Sequence, residues 1–343
     1  MTRHYIFIKL HIKYSLFFAN FLINPLYKRR LSFARKRRRI IFLPLPARTR
    51  YNSLKNFFNF ADAIFTGKLP ASTTVKIPHK TKLTEAYMNI AIITGASSGL
   101  GEEFIKNLDE DFDEIWAIAR RRDRLESLAG ISKVPVRAIP LDLTKRESID
   151  ALEEMLKDQK PQVKLLINAA GFGKIGSTTN ISRDVADDMI DLNCRAAVDV
   201  TLICIPYMTR GSRILEICST AAFQPFQFLN IYAASKAFLY RFSRALYIEL
   251  MPKKISVTAV CPYWIRDTEF IPVAKDSGGG KSTAIRHFPL SSKKKSVAKI
   301  ALHDSRLKMP VSTPGIMCTL HRIAAKFVPS FIMCAIWSGL RRV

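Results

Sequence analysis

Tyr232 and Lys236 stand four apart in the run Ile231-Tyr232-Ala233-Ala234-Ser235-Lys236-Ala237, a spacing that puts them on one face of a helix. An ammonium beside a phenol stabilises the phenolate. The pair therefore predicts a tyrosine whose pKa is lowered from its unperturbed value of about 10, so that it exchanges a proton near neutrality. Thirteen residues upstream, Ser219 ends an apolar run and can meet the pair at the edge of a sheet. Asn193 is a polar residue inside an otherwise apolar helical stretch and is a candidate for the same cleft. Singly, each has a plainer reading: a tyrosine packs, a lysine keeps its head in solvent, a serine turns the chain.

A second cluster follows the apolar run Asn89-Ile90-Ala91-Ile92-Ile93-Thr94. It reads Gly95-Ala96-Ser97-Ser98-Gly99-Leu100-Gly101, with glycines spaced G-x-x-x-G-x-G. Bare backbone at a strand-to-helix turn lets N–H groups and the helix N-terminus approach a pyrophosphate, although any tight turn also recruits glycine. The next apolar run ends at Ile118-Ala119, and no carboxylate stands there to hold a ribose diol. Arg120, Arg121 and Arg122 stand there instead. Guanidinium groups at that point suit a 2′-phosphate and favour NADP, as NADPH in the reducing direction, over NAD; a solvated basic start to a helix is the plainer alternative. Ser97 and Ser98 add hydroxyls near the same phosphate.

These residues need elements to position them. Apolar runs at Asn89–Thr94, Glu114–Ala119, Val134–Leu141, Val163–Asn168, Arg213–Cys218 and Ile255–Cys261 read as strands. Amphipathic segments at Glu102–Leu108, Arg122–Ala129, Arg146–Lys157, Arg183–Met208 and Asn230–Leu250 read as helices between them. The alternation predicts an α/β, doubly wound parallel sheet, Rossmann-like, with ligands at the carboxyl ends of the strands.

Over roughly residues 88–312 the chain resembles the short-chain dehydrogenase/reductase family. The resemblance rests on Thr94-Gly95-x-x-x-Gly99-x-Gly101, Asn168-Ala169-Ala170-Gly171, Asn193, Ser219 and Tyr232-x-x-x-Lys236. It implies hydride transfer between a nicotinamide and a carbonyl or secondary alcohol, without a metal. Tyr232 would give or take the proton, Ser219 would bind the substrate oxygen, and Lys236 would hold the nicotinamide ribose. Asn193 would hold a water linking Lys236 to solvent. Further cofactor contacts implied are Thr94 and Leu100 in the glycine turn, Asp142 and Leu143 on the adenine side, Asn168, Ala169 and Ala170 beside the central sheet, and Pro262, Ile265 and Thr268 near the nicotinamide. Two positions depart from the family pattern. Ala169 stands where a second Asn is frequent, and Pro262 is followed by the bulky Tyr263 instead of Gly, which narrows the route past the nicotinamide.

The 343 residues carry 54 Lys+Arg against 28 Asp+Glu, or +26, with 48% apolar residues, enough for one large core or two modest ones. Residues 1–87 hold 18 of the bases and only Asp62 and Glu85, giving +16; the remaining 36 bases and 26 acids give +10. This N-terminal stretch alternates aromatic clusters with runs such as Arg35-Lys36-Arg37-Arg38-Arg39 and lacks turn and capping signals. One reading is an overlong start-site assignment ahead of Met88; another is a segment lying on an anionic membrane surface. Nucleic-acid binding is not expected, since no fold-bearing motif accompanies the charge. The six cysteines show no C-x-x-C pairing and read as reduced, packed thiols of a cytoplasmic protein.

Asp267 to Ser296 would close over the substrate, with Gly278-Gly279-Gly280 as hinge and Phe270, Ile271, Phe288 and Leu290 as apolar contacts. Lys281, Arg286, Lys293, Lys294 and Lys295 make it basic, either as a solvated lid or as a subsite for an anionic tail. In residues 313–343, Ile316, Leu320, Ile323 and Phe327 align at helical spacing, and Phe331, Ile332, Ala335, Ile336 and Leu340 continue beyond Pro329. This region is expected to pack on the substrate mouth or a subunit partner, with peripheral membrane contact as the alternative. The sequence thus predicts an NADP(H)-dependent oxidoreductase for an apolar carbonyl or alcohol, such as a hydroxysteroid, bile acid or acyl thioester, working as a homodimer or homotetramer. The competing reading is a non-catalytic dinucleotide sensor or membrane-associated scaffold.

Overall fold

Strands form where aliphatic and β-branched residues follow one another without polar interruption. In β1 (Asn89–Thr94), Ile90, Ala91, Ile92 and Ile93 are wholly buried, and the same holds for the centre of β2 (Glu114–Ala119). The computed structural model describes residues 87–108, 112–276, 284–286, 288 and 290–341. The expectations for residues 1–86, for Gly278-Gly279-Gly280 and for Lys281 lie outside the described residues.

With β3 (Val136–Pro140), β4 (Gln162–Asn168), β5 (Arg213–Ile217), β6 (Ser256–Val260) and β7 (Val311–Ser312), the strands pair in parallel in the order β3-β2-β1-β4-β5-β6-β7. The order reverses between β1 and β4, so their carboxyl ends open a crevice at that switch point.

Successive side chains of a strand point to opposite faces, and both faces here are covered. Ile90, Ile92 and Trp116 pack with Leu152 and Leu156 of α3 (Arg146–Gln159), Val200 of α5 (Ala197–Cys204) and Leu246 of α6 (Asn230–Leu250). Ala91 and Ile93 pack on the other face with Phe104 and Ile105 of α1 (Gly99–Asn107) and with Ala301 and Leu302 of α8 (Lys294–Arg306). Truncating a wholly buried Leu152 to Ala would cost about 2–5 kcal/mol. The remaining helices are α2 (Arg122–Glu126), α4 (Arg183–Ile190), α7 (Phe270–Lys275), α9 (Ile316–Phe327) and α10 (Ser330–Leu340).

The long helix expected over Arg183–Met208 is broken into α4, a wider π-turn at Asp191–Ala196, α5 and a short 3₁₀ turn at Ile205–Tyr207 that contains Pro206. A π-turn inserts one extra residue per turn and re-aims side chains, and Asn193 sits within it. The stretch read as a basic lid holds the whole of α7 and the first three residues of α8, whose buried side is Val297, Ala298, Ala301, Leu302 and Ser305.

Candidate active site

A crevice of about 660 Å³ opens at the carboxyl ends of β1, β4 and β5, and its walls include Ser219, Tyr232 and Lys236. The first turns of α6 carry Tyr232 and Lys236 beneath it, nearly buried at 7% and 5% exposure. Ser219 caps the 3₁₀ turn that follows β5, its Oγ accepting from the Ala221 N–H at 3.1 Å. The Ser219 hydroxyl faces the Tyr232 phenol closely enough to draw its pKa down. The Lys236 ammonium donates to the Ile217 carbonyl at 2.8 Å and lies 5.9 Å from the centre of the Tyr232 ring.

This geometry corrects the expectation that Lys236 lowers the tyrosine pKa. Burial pushes the Tyr232 phenol above its ordinary value, the Ser219 hydroxyl pulls it partly back, and Cys218 and Cys261 raise it again. Burial likewise holds the Lys236 pKa below its ordinary value, against the nearby thiols and Glu216. Burial of the phenol dominates, and the Lys236 ammonium is directed to the Ile217 carbonyl.

Asn193 is wholly buried. Its amide donates to the Phe172 carbonyl at 2.9 Å and to Ser235 Oγ at 3.0 Å, while Oδ1 accepts from the Phe172 N–H at 3.1 Å. It thereby fixes the loop after β4 beside Lys236. A Cβ on Gly171 would come within 2.7 Å of Asn193 Oδ1 and 3.2 Å of Lys236 Nζ, and one on Gly173 within 2.8 Å of the Tyr232 ring.

At the other end of the crevice, the glycine turn divides its labour. Gly95, at φ +66°, allows the close approach of Ala169 and Ala170, and Gly101 lets α1 sit against the Gly95 carbonyl, where a Cβ would stand 2.3 Å away. Gly99, at φ +60°, lines the crevice, where a Cβ would stand in ordinary contact with the Thr268 methyl at 3.7 Å. Arg121 donates to Ser98 Oγ at 2.9 Å and Ser97 Oγ at 3.2 Å, and pairs with Glu269 at 3.1 Å. Arg120 is exposed on the rim, and Arg122 turns away to Glu126 at 3.6 Å.

Most of the sequence-predicted residues border the crevice: Gly95, Ser97, Ser98, Gly99, Leu100, Arg120, Arg121, Asp142, Leu143, Ala169, Ala170, Pro262, Ile265 and Thr268 join the three central ones. Four lie behind its wall. Thr94 accepts from the Ala170 N–H, Gly101 backs the turn, Asn193 fixes the loop, and Asn168 donates to the Ala197 carbonyl, Thr201 and Glu216. The structure also adds residues that the sequence did not single out for the site: Glu269 on the rim, Gly173 beneath Tyr232, and Glu216 in β5. Phe270, expected as a lid contact, packs on the Tyr232 ring with centroids 5.3 Å apart. Among the lid bases, Arg286 is exposed and Lys294 reaches Glu102 and Glu103; none of Arg286, Lys293, Lys294 and Lys295 borders the crevice.

The family model for short chain dehydrogenase matches residues 89–276, the span that builds both ends of this crevice. The chain belongs to the short-chain dehydrogenase family. As such it is an oxidoreductase that works with a nicotinamide dinucleotide at an alcohol or carbonyl carbon. This short-chain dehydrogenase is 33% identical over 199 residues to hydroxysteroid dehydrogenase-like protein 1 of Gallus gallus, covering 55% of this chain and 60% of that one. It is 28% identical over 175 residues to an uncharacterized oxidoreductase of Staphylococcus epidermidis, covering 50% and 76%. A solved short-chain dehydrogenase from Sphingobium yanoikuyae in complex with NADPH superposes with a TM-score of 0.60 at 26% identity, covering 71% of this chain and 95% of that one.

Proposed function

We propose that this chain is an NADP(H)-dependent oxidoreductase that moves hydride between the nicotinamide and a carbonyl or secondary alcohol of an apolar substrate. The observation that carries the reading is the presence within one crevice of a guanidinium flanked by two serine hydroxyls and of Ser219, Tyr232 and Lys236 together. The solved relative from Sphingobium yanoikuyae is in complex with NADPH, which supports the same choice of cofactor.

The residues fit a dinucleotide. Gly99 lines the crevice at the α1 N-terminus, where a pyrophosphate is favoured by the N–H groups of the first turn and the helix dipole. Arg121, Ser97 and Ser98 would hold the adenosine phosphate, and Lys236 the nicotinamide ribose. When bound, the nicotinamide supplies or accepts the hydride. Tyr232 gives a proton to the substrate oxygen in reduction and takes one in oxidation, while Ser219 orients that oxygen. Asn193, by fixing the loop beside Lys236, keeps the ammonium in place to receive the ribose.

Phe226, Leu229, Trp264 and Phe270 line the substrate end, which supports an apolar substrate of hydroxysteroid, bile acid or acyl type. The lid bases do not border this end, so an anionic-tail subsite built from them is not part of the proposal. Exposed Ile190, Leu202, Phe238 and Ile248 on α4, α5 and α6 support association of copies through these helices as a homodimer or homotetramer.

The test is a screen of bulky ketones and secondary alcohols with both nicotinamide cofactors, followed by Tyr232→Phe on the best substrate. Loss of about 10³-fold in kcat with NADPH binding retained is expected. Unchanged turnover in the variant would remove Tyr232 as the proton donor.

A further inference from the structure

The C-terminal helices α9 and α10 wear their apolar sides outward. On α9, Ile316, Leu320, Ile323 and Phe327 form one stripe at spacings of three and four, and they are 77%, 52%, 51% and 75% exposed. On α10, Phe331, Ile336 and Leu340 are 73%, 52% and 62% exposed, with Ile332 beside them. The inward side is tied to residues 224–228: His321 bonds Gln224 at 2.9 Å, Trp337 Nε1 donates to the Gln227 carbonyl at 3.3 Å, and the Arg341 guanidinium lies 4.2 Å from the centre of the Phe228 ring. Cys318 and Trp337 are buried, and the Trp337 ring packs edge-on against Phe226 with centroids 4.8 Å apart. The region thus packs beside the substrate mouth through Trp337 and His321 on Phe226, while the stripe that the periodicity predicts faces outward.

Residues 313–343 contain Arg322, Lys326, Arg341 and Arg342 and no Asp or Glu. This composition selects among occupants. A second copy laid on the same face by two-fold symmetry would set like charges against like, whereas an anionic lipid surface complements the apolar stripe together with the exposed Lys326 and the half-buried Arg322 on α9; Arg341 is turned inward over the Phe228 ring. A helix of 12 residues spans about 18 Å, and no helix among the described residues is long and apolar enough to cross a membrane.

We propose that α9 and α10 form a docking foot that lies in the interface of an anionic membrane. Phe226, which carries Trp337 on one side, also borders the crevice, so docking sets the substrate end close to the lipid. An apolar substrate dissolved in the bilayer then has a short path to Tyr232. The foot rests on the exposed stripe alone and does not depend on the catalytic reading.

Residues 1–87 carry +16 of their own, so vesicle binding by itself does not locate the contact. The experiment uses the full chain with vesicles of phosphatidylcholine containing about 30% phosphatidylserine. Leu320→Ser, Phe327→Ser, Phe331→Ser and Ile336→Ser are combined in one variant, all at exposed positions that leave the core intact. A more than tenfold loss of vesicle partitioning is expected, with the light-scattering mass and thermal midpoint unchanged. A separate Phe327→Trp protein reports depth: brominated acyl chains should quench the added tryptophan. Undiminished binding of the fourfold variant would overturn the foot. So would an unquenched Trp at position 327, or loss of an oligomer in the variant, which would make this face a contact between copies.

Discussion

Arg121 and Glu269 join the two ends of the crevice. The carboxylate of Glu269, one residue before α7, lies 3.1 Å from Arg121 and 2.6 Å from Arg124, while Arg121 also holds Ser97 and Ser98. Hydrogen bonding from Arg124 is the main reason the Glu269 pKa falls below its ordinary value, followed after the opposing effect of partial burial by the bond from Arg121. Both members of the Arg121 pair are nearly half exposed, so the bridge itself contributes at most about 1 kcal/mol to stability. In the proposed NADP(H) complex its weight would fall on binding, because a 2′-phosphate would compete with Glu269 for one guanidinium.

Arg121→Ala is expected to raise the Kd for NADPH about 10- to 100-fold and to change that for NADH little, since two charge-assisted bonds are lost. Glu269→Gln should lower the NADPH Kd several-fold by releasing the guanidinium from its rival. Titration calorimetry with both cofactors measures this. Equal losses for NADPH and NADH in Arg121→Ala would place the 2′-phosphate elsewhere.

Gly171→Ala is expected to cost activity more than stability. The new methyl must push Asn193 Oδ1 from 2.7 Å or Lys236 Nζ from 3.2 Å, and displacement of a catalytic group by about 1 Å can cost about 10²-fold. Gly130→Ala is the control, because a Cβ there meets nothing within 4 Å. A Gly171→Ala enzyme with normal kcat would show that the Asn193 and Lys236 positions do not govern turnover.

The phenol of Tyr232 should stay protonated in the cofactor-free protein through the neutral range, since its pKa is raised by burial. Difference absorbance near the tyrosinate band, wild type minus Tyr232→Phe, should therefore show no step below about pH 10. A step between about pH 6 and 8 would restore Lys236 as the group that sets the phenol.

The strands and the Tyr232–Lys236 pair were legible because their signals are local: an unbroken apolar run, or two side chains one helical turn apart. What escaped depends on partners far along the chain. The π-turn at Asn193 is tied to Phe172 and Ser235, 21 and 42 residues away, and Arg121 meets Glu269 across 148. Periodicity placed Ile316, Leu320, Ile323 and Phe327 on one stripe but carries no sign for which way a stripe faces. Local spacing also misjudged Tyr232, because a lysine four residues on says nothing about how deeply the phenol is buried. Glu216 was hidden inside the strand Arg213–Ile217, where it reads as one polar position among apolar ones.

That buried carboxyl supplies the last prediction. Glu216 Oε1 accepts from Asn168 and Thr201 at 3.0 and 2.8 Å, while Oε2 has no hydrogen-bond partner among the described residues. Burial raises its pKa from 4.5 to about 7, against the pull of those two donors and of Lys236. The folded chain thus binds this proton more tightly than the unfolded one, so stability falls as pH rises from about 4.5 to about 7 and is level above that. At 1.36 kcal/mol per unit, the loss is of order 3 kcal/mol. Glu216→Gln keeps an acceptor for Asn168 and Thr201 and removes the titration. Urea unfolding at about pH 4.5 and 8 should find the variant close to wild type at the lower pH and more stable by about 1–3 kcal/mol at the higher. A gap that is the same at both pH values would mean that the proton resides on another group.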